Sequence, residues 1–187
     1  MPDRPSRILL VSGSTRSAST NTALLRAARD AAPPGVEAVL YEGMTGLPHF
    51  NPDDDTPPLP PAVADLRRQI AEADAVLFCT PEYAGALPGT FKNLLDWTVG
   101  GPEMYEKRVA WVNAAPSPTR AAKAHASLET VLHTIHADVV AAACTHIAVP
   151  RDRVGADGRV SDPETGRRIA KVLETLAAHA VAPYGAT

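Results

Sequence analysis

Apolar residues along this chain fall into short unbroken runs, separated by longer stretches in which they recur every three or four positions. Ile8-Leu-Leu-Val11, Ala75-Val-Leu-Phe-Cys79 and, after its first residue, Arg108-Val-Ala-Trp-Val112 are runs of the first kind. They are too short for helices and lack polar alternation, which predicts strands covered on both faces. Val36 to Tyr41 reads as another strand, and Val139 to Val149 contains a fifth. Helical spacing fills the intervals. It is carried by Ala23, Leu24, Ala27 and Ala28 within 20–32, by Val63, Leu66, Ile70 and Ala73, and by Phe91, Leu94, Leu95 and Thr98 within 88–98. Leu128, Val131, Leu132 and Ile135 mark a fourth helix, and Ile169, Val172, Leu173, Leu176 and Ala180 a fifth. Pro33-Pro34-Gly35 stops the first helix, Pro88 suits a first turn, and Asp162-Pro163 caps the last helix. Gly155-Ala-Asp-Gly158 is turn chemistry.

Strand and helix therefore alternate through the whole chain, which predicts an α/β fold with a parallel sheet and helices on both faces. Five strands suit the flavodoxin-like order 2-1-3-4-5, in one domain over residues 1–187. Ligands of such sheets sit at the carboxyl ends of the strands beside the switch in strand order, so the loops after strands one, three and four are the expected site. Residues 42–61 interrupt the alternation. This proline-rich stretch with Asp53-Asp54-Asp55 reads as a long loop, functional or mobile. Its acidic run reads as solvated, because consecutive carboxylates do not by themselves converge on one ion.

With 45% hydrophobic residues in 187, a full core can be buried, and with only 5% aromatics most of its volume must come from Ala, Val and Leu. A net charge of -3 and the absence of a Lys/Arg cluster argue against nucleic acid as a partner. The two cysteines, Cys79 and Cys144, both lie in apolar runs read as strands, where a thiol serves as a small hydrophobe. There is no CxxC pair, which fits a reducing, cytoplasmic setting. Ile8-Leu-Leu-Val11 is too short for a signal-peptide core, and no apolar stretch has transmembrane length, so no membrane partner is expected.

The loop after strand one, Gly13-Ser-Thr-Arg-Ser-Ala-Ser-Thr-Asn21, concentrates groups that attract an anion. Ser14, Thr15, Ser17, Ser19 and Thr20 offer hydroxyls, Asn21 an amide and Arg16 a planar cation. The helix start adds unpaired N–H groups and a positive dipole end, so a phosphate is the natural ligand. An ordinary helix cap needs only one of these hydroxyls. Neither GxGxxG nor GxxxxGK[ST] is present, and one compact loop suits a single terminal phosphate such as that of FMN. After strand three, Thr80-Pro-Glu-Tyr-Ala-Gly-Ala-Leu-Pro-Gly89 can present backbone groups to a flat heterocycle, with Tyr83 beside it. Taken singly, Glu82 and Tyr83 read as a solvated carboxylate and a half-buried aromatic.

These segments resemble the NADPH-dependent FMN reductases of the flavodoxin-like superfamily, which include quinone, azo-dye and chromate reductases. The family pattern G-S-x-R-x-x-S-x-N is filled by Gly13, Ser14, Arg16, Ser19 and Asn21. Its second signature is matched by Pro81, Glu82, Tyr83, Pro88, Gly89, Phe91, Lys92, Asn93, Asp96 and Trp97, and Leu47-Pro-His-Phe-Asn-Pro-Asp53 resembles a third segment. Ala84 stands where the family usually has Asn, and Asn113-Ala-Ala-Pro-Ser-Pro-Thr-Arg120 replaces a glycine-rich loop with a stiffer one. The resemblance implies an FMN-dependent enzyme that takes electrons from NADPH, or NADH, and passes them to a small-molecule acceptor. It implies that Ser14, Arg16, Ser19, Thr20 and Asn21 hold the FMN phosphate. Pro81, Glu82, Tyr83, Ala84 and Gly85 would line the isoalloxazine, with Ala115, Ser117 and Pro118 approaching its other edge. The redox chemistry then belongs to the cofactor, so no residue is assigned a catalytic role. The helix from Pro88 to Trp97 is commonly an oligomer contact in the family, so a homodimer or homotetramer is expected.

Two other readings compete. A flavodoxin-like electron carrier would hold FMN without oxidising NAD(P)H, but the T-x-T-G-x-T type of loop usual in flavodoxins is absent. Glu129, His133 and His136 fall at i, i+4 and i+7, a spacing that zinc sites use. The apolar stripe opposite them makes a solvated or oligomer-facing polar face the simpler account, and no metal is assigned. A hydrolase is disfavoured because Ser14 lacks a G-x-S-x-G elbow.

Overall fold

The computed structural model describes residues 4–181. In chain order the main elements are β1 (Ser6–Ser12), α1 (Thr20–Asp30), β2 (Val36–Leu40), α2 (Pro61–Glu72), β3 (Ala75–Cys79), α3 (Gly89–Asp96), β4 (Arg108–Asn113), α4 (Ala122–Thr134), β5 (Asp138–Val139), β6 (Thr145–His146) and α5 (Pro163–Val181). All the strand pairs are parallel and run in the order β2-β1-β3-β4-β5, as the alternation predicts. β6 also pairs with β4.

The unbroken apolar runs occupy the centre of the sheet, where alternate residues serve opposite faces. Leu9, Val11, Val76, Phe78 and Val109 pack on one face with Val63, Leu66 and Ile70 of α2, Phe91, Leu94 and Leu95 of α3, and Leu128 and Leu132 of α4. Ile8, Leu10, Leu77, Ala110 and Val112 pack on the other with Leu24 and Leu25 of α1 and Ile169, Leu173 and Leu176 of α5. Burying one such aliphatic side chain contributes about 1.5–3 kcal/mol, which is why the runs and the helical stripes were legible. Asp162 caps α5 as expected, its Oδ2 accepting from Thr165 N at 3.0 Å, and this hydrogen bonding from Thr165 pulls the carboxyl below the usual range.

The fifth strand departs from expectation. It is split into β5 and β6 by a single 3-10 turn at Ala141–Ala143, and both halves pair with β4. At the sheet edge a break loses ladder bonds on one side only, and alanines tolerate a helical turn. Cys144 therefore ends this turn, half-buried, rather than sitting inside a strand. Burial pushes its thiol up to about 11.

The long loop is also more ordered than its composition suggests. It contains 3-10 turns at Met44–Gly46 and Pro52–Asp54 and is pinned to α3. Asn93 Oδ1 accepts from Phe50 N at 2.7 Å, while Asn93 Nδ2 and Trp97 Nε1 both donate to the Pro48 carbonyl at 2.8 Å. Phe50 meets the Trp97 ring edge-on at 5.0 Å. Asp55 is not solvated: it pairs with Arg67 at 2.6 Å, both side chains being only 9% exposed, and Arg67 Nε also donates to the Trp97 carbonyl. Asp53 and Asp54 remain exposed.

Candidate functional site

The carboxyl ends of β1, β3 and β4 open around a cavity of about 620 Å³. Thr20 and Asn21 reach it from the start of α1, Thr80, Pro81 and Glu82 from the loop after β3, and Ala115 from the loop after β4. The switch in strand order between β1 and β3 keeps these loops from covering one another.

Loop one is held from beneath. Gly13 N donates to the Cys79 carbonyl at 2.8 Å, and a Cβ at 13 would lie 2.7 Å from Thr80 Cβ, so only glycine lets the two loops meet. Ser12 Oγ and Thr22 Oγ1 share a hydrogen bond of 2.8 Å under the loop. Ser19 is the N-cap of α1, accepting from Thr22 N at 3.3 Å, and Asn21 Oδ1 accepts from the buried Cys79 thiol at 3.3 Å. Burial raises the Cys79 pKa. Part of the predicted anion set is thus engaged in building the loop. Thr15, Arg16 and Ser17 stay exposed, and the Arg16 guanidinium has no hydrogen bond or ion pair among the described residues.

In the loop after β3, Tyr83 and Ala86 exchange two backbone hydrogen bonds of 3.1 Å across Ala84 and Gly85. Ala84 (φ 51°) and Gly85 (φ 74°) are both left-handed, the conformation of a type I′ turn. Glu82 is not a free carboxylate. Its Oε2 accepts from Lys123 N at 3.0 Å and Ala124 N at 3.3 Å, capping α4, whose own N-cap residue Ala121 (φ 64°) supplies no side-chain bond. A carboxylate at that end also opposes the helix dipole favourably.

The loop after β4 is organised by a residue that sequence reasoning passed over. Buried Asn113 accepts from Ala115 N at 2.9 Å and donates to the Arg120 carbonyl at 2.8 Å, closing the loop on itself. His146 Nε2 lies 2.7 Å from the Ala115 carbonyl. Ala115 lines the large cavity, together with Pro116, Thr119, Arg120 and Ala121, whereas Ser117 and Pro118 fall outside its wall. Arg151, after the fifth strand, lines it as well. A cation placed just past a strand's carboxyl end was the available signal for Arg120 and Arg151.

His125, in the first turn of α4, has Nδ1 at 2.7 Å from the Ala121 carbonyl and is 7% exposed, and burial lowers its pKa. The trio Glu129, His133 and His136 does not share a helix face, because α4 ends at Thr134 and His136 turns left-handed (φ 57°). His133 Nε2 and Glu129 Oε1 stand 4.0 Å apart. No group of three His, Cys, Asp or Glu among the described residues converges as a metal site would require.

FMN fits this arrangement: a cavity in the size range of small-ligand sites with the start of α1, Arg120 and Arg151 on its wall and loops along its sides, while of the predicted phosphate residues Thr20 and Asn21 line it and Ser14 and Arg16 line adjoining cavities. The family described as NADPH-dependent FMN reductase matches residues 6–149 of the chain. An NAD(P)H-dependent FMN reductase of Pseudomonas aeruginosa is 33% identical over 172 residues, covering 91% of this chain and 92% of its relative. An NADPH:quinone oxidoreductase of Arabidopsis thaliana is 30% identical over 181 residues, or 92% and 90% of the two chains. Among solved structures, the flavoenzyme NAD(P)H:(acceptor) oxidoreductase FerB of Paracoccus denitrificans superposes with a TM-score of 0.79 at 28% identity, over 94% of this chain and 97% of FerB.

Proposed function

The chain belongs to the NADPH-dependent FMN reductases and is an FMN-dependent NAD(P)H oxidoreductase, and from that premise we propose that it reduces quinones or free flavins at the cavity between β1, β3 and β4. The supporting observation is that cavity, where three loops meet and where Arg120 and Arg151 stand on the wall with no carboxylate partner among the described residues. Relatives named as quinone reductases support the quinone assignment.

Bound FMN supplies the redox chemistry, accepting a hydride from NAD(P)H and giving two electrons to the acceptor. The protein holds and shields. Ser14, Arg16, Ser19, Thr20 and Asn21 form the phosphate end, where the guanidinium and the α1 N-terminus neutralise the dianion. Pro81 and Ala115, both on the cavity wall, supply apolar surface for the ring, and Glu82 positions the two loops by capping α4. Tyr83, Ala84 and Gly85 make the turn at the rim, and Ser117 and Pro118 lie on the outer part of the opposite loop. No side chain is given a nucleophilic or proton-transfer role.

A homodimer or homotetramer is the proposed assembly, supported by the exposed apolar side chains Tyr83, Val99 and Tyr105 (52%, 62% and 60%). No helix among the described residues is long and apolar enough to cross a membrane, and with two free thiols a cytoplasmic setting is proposed. The deciding experiment is the visible spectrum of the purified, FMN-reconstituted protein under nitrogen. NADPH should bleach the flavin bands and a quinone should restore them. Bleaching absent in a flavin-loaded protein would instead mark a carrier, and a protein that cannot be loaded with FMN would sink the proposal.

A further inference from the structure

Eight arginines among the described residues meet a carboxylate. Five others, Arg16, Arg26, Arg120, Arg151 and Arg153, have side chains with no hydrogen bond or ion pair among the described residues. Arg153 lines a small cavity beside the start of α5, and the other four lie on cavity walls at the carboxyl end of the sheet. In a chain of net charge -3, that segregation marks where anions are received.

Three of the four share a second cavity of about 460 Å³, between residues 16–20 and the turn 154–158. Ser17 and Thr20 add hydroxyls to its wall. Its one carboxylate, Asp157, accepts from Arg159 N at 3.1 Å and makes no ion pair with these arginines. Gly158 (φ +72°) admits the Arg26 guanidinium, which a Cβ there would overlap. This cavity shares Thr20 and Arg151 with the larger one, so a long ligand can cross from one to the other.

We propose that Arg26 and Arg151 form a subsite for the 2′-phosphate of NADPH, adjoining the 14–21 loop, whose Arg16, Ser17 and Thr20 make the facing wall of the same cavity. Guanidinium forks match a phosphate monoester dianion in shape and charge. With Arg16 and the start of α1 assigned to the FMN phosphate, Arg26 and Arg151 remain on the far side of the cavity, which has room for a nucleoside-sized group rather than a lone phosphate. The subsite would therefore set the choice of NADPH over NADH. It rests on the assignment of FMN to the larger cavity.

Two measurements test it. In the first, Arg26→Gln and Arg151→Gln holoenzymes are assayed with a fixed quinone and either coenzyme. The ratio of kcat/KM for NADPH to that for NADH should fall about tenfold or more in each variant, chiefly through KM for NADPH. In the second, calorimetry on the FMN-loaded parent should show binding of 2′,5′-ADP and much weaker binding of 5′-ADP, with the difference lost in the variants. An equal change for both coenzymes, selective loss of FMN relative to riboflavin, or no preference for 2′,5′-ADP in the parent would overturn the subsite. A parent that oxidises neither coenzyme would instead overturn the functional reading.

Discussion

In the loop after β1 the cation Arg16 meets no carboxylate among the described residues, while in the loop after β3 the anion Glu82 is fully engaged by the backbone of α4. Both residues belong to family motifs and both were read as ligand contacts. Their surroundings divide them. The loop after β1 leaves Arg16 exposed and without a carboxylate at a helix start, the arrangement proposed to receive the FMN phosphate. The loop after β3 satisfies its charge internally, and so fixes the distance between two walls. A motif residue can thus serve a ligand by touching it or by holding what touches it.

The largest way to break this contrast is at the joint between the two loops. Gly13→Val forces a side chain onto Thr80 and should cost about 3 kcal/mol of stability, together with FMN binding, in denaturant titrations and flavin dialysis. Retention of both would show that the loops do not depend on each other. Next comes Arg16→Ala, which should weaken FMN by about 2 kcal/mol, roughly thirtyfold, and leave riboflavin binding and apo stability as in the parent. Equal loss of both flavins would remove Arg16 from the phosphate.

Glu82→Ala should behave the other way, lowering apo stability by about 1 kcal/mol through loss of the α4 cap, with Glu82→Gln falling between. Should FMN binding fall while the denaturation midpoint stays put, Glu82 would join Arg16 as a ligand contact. The same helix end gives a pH test. The pKa of His125 is lowered by burial, so between that value and the ordinary 6.5 the unfolded chain binds the proton and the folded chain does not. Stability should decline as pH falls below 6.5, and His125→Asn should flatten that decline in urea titrations at pH 5 to 7. The smallest effect is at the turn: Ala84→Asn should raise stability by about 0.5 kcal/mol, because Asn tolerates the left-handed φ of 51° better than Ala. A loss in thermal scans would mean that Asn at 84 meets a neighbour.

The elements, their parallel alternation and the faces they bury were determined by the sequence alone, because each central strand and each helix is a local pattern, and the order 2-1-3-4-5 followed from the flavodoxin-like fold that such an alternation suits. The loop after β1 was equally legible as a polar turn into a helix, since Gly13, Ser14, Arg16, Ser19 and Asn21 fall within nine residues and a helix start needs few partners. What lay beyond the sequence depends on contacts between distant segments. Glu82 finds the start of α4, Asn93 and Trp97 find Pro48, Asp55 finds Arg67, and Arg151 arrives beside Thr20. The break at Ala141–Ala143 was hidden for a related reason: an edge position, which only the assembled sheet defines, makes the interruption tolerable. Local periodicity dictated where the elements lie. The closing of the chain in three dimensions decided which polar side chains are used up in holding the loops and which remain for a ligand, because an unpaired charge is defined by everything that did not come near it.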